Sequence, residues 1–280
     1  YDQAMLSMAY LEAYQVTGRK EYADVAREIF TYVLRDMTDK DGGFYSAEDA
    51  DSEGEEGKFY VWGKDEIIEL LGPENGERFS KIFGFTPSGN FKDEATGHLS
   101  GNNIPYLPQR LPDIAKKMEM SLDELESFIE EQRQILFDQR EGRIHPLKDD
   151  KILTDWNGLM IAALALGGAV LDESTYRAAA EKAARFLLSN LRNDDGRLMK
   201  RYRQGVSGIP PHLDDYAFLI WGLLNLYEAT FDPYYLSSAK ELAEVMVTDF
   251  ADEKGGAFFI GSDNAEKLMV RSKDSYDGAI

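Results

Sequence analysis

The sequence predicts an all-α protein, an incomplete (α/α)₆ toroid of helical hairpins with short β-hairpins in its long loops. Three observations predict it. A helix-opening motif returns about every 60 residues, the helices alternate between apolar all round and amphipathic, and an acidic-glycine turn closes each second helix.

The motif occurs as Tyr1-Asp2-Gln3-Ala4, Asp155-Trp156-Asn157-Gly158, Asp215-Tyr216-Ala217-Phe218 and Asp277-Gly278-Ala279-Ile280. Its first three copies open helices that are apolar on nearly every side, as in Leu159 to Leu171. A helix of that kind must be buried on most sides. After a short turn comes a second helix with one wet face. Tyr22, Val25, Ala26, Ile29, Phe30, Val33 and Leu34 keep the i, i+3, i+4, i+7 spacing of the first such helix. Helices from Tyr176 and Tyr234 repeat it. Each then meets a glycine turn, at Asp41-Gly42-Gly43, Asp195-Gly196 and Gly255-Gly256, where a helix C-terminus favours glycine.

Buried helices alternating with half-wet ones imply an inner ring wrapped by an outer ring. An open α-solenoid is the rival arrangement, but its repeats run about 34–47 residues and lack these long hairpin-like loops. The second unit is irregular: short helices near Lys64 to Leu71 and Asn75 to Phe83, then a Gly/Asn/Pro-rich loop from Thr86 to Pro112. A charged helix near Ser121 to Asp138 follows. Residues 1–280 are therefore expected to form one six-hairpin domain, truncated at both ends, with residues 72–120 as a loop-rich insertion.

Composition excludes several function classes. The net charge is −20 and the one basic run, Arg197 to Arg203, is short, so a nucleic-acid partner is not expected. The apolar stretch from Leu159 to Leu171 falls short of the about 20 residues that span a bilayer, so no membrane partner is expected either. The absence of cysteine removes thiol chemistry and thiolate metal sites, and fits a cytoplasmic location.

In such a ring the long loops feed the positive N-terminal ends of the inner helices, forming a funnel suited to a ligand. The acids delivered there are Asp49, Asp51, Asp155 and Asp215, read as candidate catalytic residues. The candidate ligand-binding residues are Tyr45, Tyr60, Trp62, His145, Trp156, Asn157, His212, Asp214 and Tyr216. Aromatic faces stack on the C–H faces of sugars, and paired carboxylates divide the acid and base roles of glycoside hydrolysis. The competing reading makes Asp155, Asp214 and Asp215 helix N-caps. Asp49 and Asp51 do not precede a periodic helix; on a projecting hairpin they either serve solubility at an exposed tip or face inward, and the inward reading expects at least one within carboxylate-pair distance of Asp155 or Asp215. The run Glu48 to Glu53 lacks EF-hand spacing, and neither a metal nor a cofactor is expected.

Three stretches together resemble one family: Asp41-Gly42-Gly43-Phe44-Tyr45-Ser46-Ala47-Glu48-Asp49-Ala50-Asp51-Ser52 with Gly57 to Trp62, Asp150 to Leu159, and Leu213 to Phe218. They resemble the thioredoxin-domain-containing proteins of the spermatogenesis-associated type. That resemblance implies a toroid similar to N-acylglucosamine 2-epimerases and six-hairpin glycosidases, preceded by a thioredoxin-like domain outside this chain. Tyr276 to Ile280 resembles the start of a further family motif. The resemblance supplies no catalytic residue. Two functions remain: a carbohydrate-active or carbohydrate-binding toroid, glycosidase-like or epimerase-like if catalytic, or a non-catalytic module serving the thioredoxin-like domain.

Overall fold

The computed structural model describes residues 1–92, 97–266 and 269–273, so the expected unit start at Asp277 and the motif at Tyr276 to Ile280 lie outside the described residues. Ten helices occur among them: α1 (Asp2–Thr17), α2 (Lys20–Asp36), α3 (Lys64–Leu71), α4 (Pro73–Ile82), α5 (Leu111–Lys117), α6 (Leu122–Glu141), α7 (Thr154–Val170), α8 (Ser174–Asn190), α9 (Leu213–Thr230) and α10 (Pro233–Phe250). Strands are two or three residues long. The chain divides into two compact units, residues 1–47 with 149–280, and residues 48–148.

In the first unit α1, α7 and α9 form an inner row, and α2, α8 and α10 each pack back on their own partner outside it. This two-layered row of hairpins belongs to the predicted all-α toroid class, in its incomplete form. The apolar sequence of α7 is explained by its place. With α1 on one side, α9 on the other and α8 behind, the run Leu159 to Ala165 is almost wholly inaccessible to water. The same burial was expected of α1 and α9 and is only half realised. Met5, Leu6 and Val16 of α1 and Trp221 and Leu224 of α9 are exposed. Those helices stand at the two edges of the described row and have a neighbour on one side only.

Helices α7 and α9 touch backbone to backbone. A Cβ added at Gly158 would lie 2.5 Å from the Leu219 amide nitrogen, and one at Gly222 would lie 2.5 Å from the Gly158 carbonyl oxygen. Glycine at both places permits the approach.

Each outer helix ends in the same device. Bridges Thr38–Phe44, Arg192–Leu198 and Ala251–Phe258 close the three acidic-glycine turns. Inside them, the Asp39, Asn193 and Asp252 amides donate to the Gly43, Arg197 and Ala257 carbonyls. Beyond the second turn, Ile152–Leu153, Arg201–Arg203 and Val206–Gly208 pair as a small antiparallel sheet. The N-caps correct an expectation. Leu153 caps α7 and His212 caps α9, while Asp155, Asp214 and Asp215 lie inside the first turns.

The second unit has its own small cores, one around Trp62, Ile67, Phe79 and Leu136 and another around Ile82, Ile114, Leu125 and Ile129. Its longest helix, α6, starts with a capping box in which Ser121 and Glu124 exchange hydrogen bonds. Asp51–Ser52 pairs with Glu55–Glu56 across a turn in which Glu53 and Gly54 both have positive φ, 55° and 77°. That backbone suits the twist of a two-residue hairpin.

Candidate functional site

The crossing of α7 and α9 at Gly158 and Gly222 sets the two helix N-termini side by side, and two acids meet there. The Asp155 amide donates to Asp215 Oδ1 at 3.2 Å, and the His212 amide donates to Asp215 Oδ2 at 2.7 Å. Asp155 Oδ1 accepts from the Trp156 amide at 2.9 Å. The fourth oxygen, Asp155 Oδ2, accepts from Lys200 Nζ at 2.6 Å, and the same ammonium stands 3.5 Å from Asp215 Oδ1. Those two oxygens are thus at most about 6 Å apart.

Burial decides the electrostatics. Asp155 is 5% exposed and Asp215 0%. Loss of water, then the Asp155 charge, pushes the Asp215 carboxyl up to about 7, against the pull of Lys200 and the backbone donors. Burial by itself would lower the Lys200 ammonium, but the charges of Asp215 and Asp155 with the hydrogen bond to Asp155 outweigh it and the net direction is up. The helix N-termini add fixed positive potential where the anionic charge sits.

Lys200 is delivered by the backbone. Its carbonyl accepts from the Thr154 amide, the first of α7, at 2.9 Å. The equivalent bond in the next hairpin runs from the Leu213 amide to the Ile260 carbonyl, at 3.0 Å. Lys200 follows Leu198 by two residues as Ile260 follows Phe258. The backbone bond itself therefore forms with isoleucine as well as with lysine at that place.

The other candidates sort by what they touch. Asn157 is buried and spends its amide on the chain, accepting from the Phe44 amide at 2.7 Å and donating to the Phe44 and Leu153 carbonyls. Tyr216 does the parallel work in α9, its hydroxyl accepting from the Leu198 amide at 3.0 Å. Both tie an inner helix to the glycine turn of the preceding hairpin. Trp156 is half-buried against the Tyr1 ring, centroids 5.0 Å apart. Tyr45, next to the clamped Phe44, donates its hydroxyl to Asp39 at 2.8 Å; burial and that bond push its pKa up to about 12. His212 and Asp214 are exposed at the start of α9.

In the second unit, Asp49 and Asp51 are both exposed, against the inward reading. Strand alternation buries Ser52 and turns Asp51 outward, while Asp49 accepts from the Asp51 amide. Tyr60 is exposed and donates to Glu48 at 3.0 Å. Trp62 is buried in its local core with the Arg143 guanidinium 3.9 Å from the ring centroid. His145 is exposed and lies against Phe59. Among the described residues no group of three His, Cys, Asp or Glu side chains is placed to hold a metal ion. None of their helices is long and apolar enough to cross a membrane.

No protein-family model matches the chain. It is 35% identical over 307 residues to human spermatogenesis-associated protein 20, aligned along all of this chain and 39% of that protein. The mouse protein of that name gives the same identity and coverage. An uncharacterized protein of Caenorhabditis elegans, B0495.5, is 34% identical over 304 residues, covering 41% of its length. The chain thus spans about two fifths of the length of the curated relatives it matches. Among solved structures, a D-mannose isomerase aligns with 92% of this chain and 62% of its own at 14% identity and TM-score 0.39. A GH76 α-mannanase of Bacteroides thetaiotaomicron aligns with 92% and 63% at 13% identity and TM-score 0.39. None of their chemistry is carried over to this chain.

Proposed function

We propose that this chain, a homologue along its whole length of spermatogenesis-associated protein 20, is a carbohydrate-active or carbohydrate-binding toroid whose ligand lies at the N-terminal ends of α7 and α9. The observation that carries this reading is the buried pair Asp155 and Asp215 bridged by Lys200. An acid whose pKa is about 7 holds a proton that it can give to a leaving oxygen, and a neighbouring ionised acid can act as base or nucleophile. Trp156, directly after Asp155 and half-buried, supplies an aromatic surface for a sugar face. Asp49 and Asp51 are not given catalytic roles in this reading, because both are exposed and neither belongs to the buried pair. In the longer protein the toroid would work beside a thioredoxin-like domain, in the cytoplasm, a setting supported by the absence of cysteine.

The test is thermal stabilisation and turnover with a panel of aryl glycosides, free aldoses and disaccharides. A substrate should raise the melting temperature of the wild-type chain. Asp215→Asn should retain that shift while losing about 10²–10⁴ in turnover, the usual worth of a general acid. No stabilisation by any sugar, with a longer protein carrying the remaining sequence also unresponsive, would reject the reading.

One observation favours a second reading, a structural module. All four oxygens of the pair already have donors. A latch of this kind would join the α7 and α9 ends with no ligand. In that case Asp155→Asn and Asp215→Asn would alter melting only, and no sugar would distinguish them from wild type.

A further inference from the structure

We propose that Lys200 is the positioning residue of this pair: shared between the two acids, its ammonium determines which one carries the proton, leaving Asp155 ionised and Asp215 as the proton holder. The catalytic meaning of this assignment rests on the carbohydrate reading; the assignment itself does not.

The geometry is asymmetric. Lys200 Nζ is 2.6 Å from Asp155 Oδ2 and 3.5 Å from Asp215 Oδ1. Asp155 therefore holds the close charge-assisted bond, which favours its ionised form. Asp215 is the more deeply buried, and its closest donors are neutral backbone amides of Asp155 and His212. Desolvation makes the charge costlier there. The proton accordingly belongs on Asp215, the direction in which its titration is displaced.

Other titratable and charged side chains lie on the elements that carry the pair. His212 and Asp214 at the start of α9 are exposed, and Arg201 follows Lys200 in the chain. The neighbouring hairpin supplies the internal comparison, because Ile260 fills the place of Lys200 there and the backbone bond is kept. A side chain without charge is thus compatible with that backbone bond.

The experiment is a carboxyl ¹³C NMR titration of the wild-type chain, with signals assigned from Asp155→Asn and Asp215→Asn. Asp215 should titrate at the higher pH and Asp155 at the lower one. In Lys200→Gln or Lys200→Met the Asp155 midpoint should rise by one pH unit or more, and Lys200→Arg should restore it. If Asp155 takes up its proton at higher pH than Asp215 in wild type, the assignment is overturned even without a folded variant. Unchanged midpoints in a folded Lys200→Gln chain would overturn it as well. Sugar binding or turnover plays no part in this readout, so a failure of the carbohydrate reading would be separately visible.

Discussion

At the scale of the residue, Asp215 gives the molecule a pH dependence of known sign. Its folded pKa is raised, to about 7, above the ordinary aspartate value of 3.8. The folded state therefore binds more protons than the unfolded chain across that window, and this group's contribution to stability falls as pH rises through it. Each unit is worth about 1.4 kcal/mol, so the loss between pH 4 and 7 should amount to a few kcal/mol. Urea unfolding across this range should show the decline, and Asp215→Asn should flatten it. An equally steep wild-type and variant slope would assign the effect elsewhere. A second residue-scale prediction concerns Asn157→Ala, which strips the buried Phe44 amide and carbonyl of their partner. An unsatisfied buried group costs about 1–3 kcal/mol, so the variant should be clearly less stable by the same assay. Asp155 and Asp215 were legible because each stands at the start of an apolar helix, although the matching of Asn157 with Tyr216 and of Thr154 with Leu213 makes Asp214 the counterpart of Asp155. Lys200 was not, because it sits in the only basic run of an acidic chain and no periodicity marks it. Asn157 and Tyr216 read as ligand residues because side-chain chemistry in a sequence does not reveal that backbone groups will claim it.

At the scale of the element, the pair depends on how closely two helices approach. Gly158 and Gly222 let α7 and α9 cross with their backbones in contact, and this brings the first turns within hydrogen-bond reach. A methyl group at Gly222 would lie 2.5 Å from the Gly158 carbonyl oxygen and 3.3 Å from the Ile161 Cβ. Since backbone cannot move aside as a flexible side chain does, the helices must separate. Overpacking of this type costs about 1–3 kcal/mol, so Gly222→Ala should lower stability by at least that much. It should also lengthen the Asp155–Asp215 contact, seen as a downward shift of the Asp215 titration. A wild-type titration in a destabilised Gly222→Ala chain would uncouple the crossing from the acid pair. The helices and their alternation between buried and half-wet were legible, since 3.6-residue periodicity is local. The caps were less so: an acid at a helix start reads as an N-cap, yet Leu153 and His212 hold those places because small bridges and strands already fix the approach of the chain. Exposure of Met5, Leu6, Trp221 and Leu224 was hidden for another reason, as it depends on which helices are neighbours.

At the scale of the whole molecule, the division into two units has a physical basis in where apolar area is buried. Among the described residues, the large core draws on residues 1–47 and 149–258, from Ala4 and Phe30 through Leu164 to Phe250. The cores around Trp62 and Ile82 draw, among the described residues, on residues 62–136. Each unit thus buries its own side chains, the requirement for cooperative folding in isolation. The join between them is short. Both the amide and the hydroxyl of Ser46 donate to the Asp149 carbonyl, at 3.2 and 3.1 Å, so the chain leaves and re-enters the first unit at adjacent points. Excising residues 48–148 and connecting Ala47 to Asp149 through a two-residue Asn-Gly turn should therefore preserve the first unit, with loop-closure entropy favouring the shorter link. Circular dichroism should show the helices of the remaining hairpins, with a single cooperative thermal transition. Because Asp155, Lys200 and Asp215 all belong to that unit, the raised titration of Asp215 should survive the excision too. Loss of the cooperative transition would mean that residues 48–148 stabilise the hairpin row. A folded product with Asp215 returned to an ordinary carboxyl range would mean instead that they keep water from the pair.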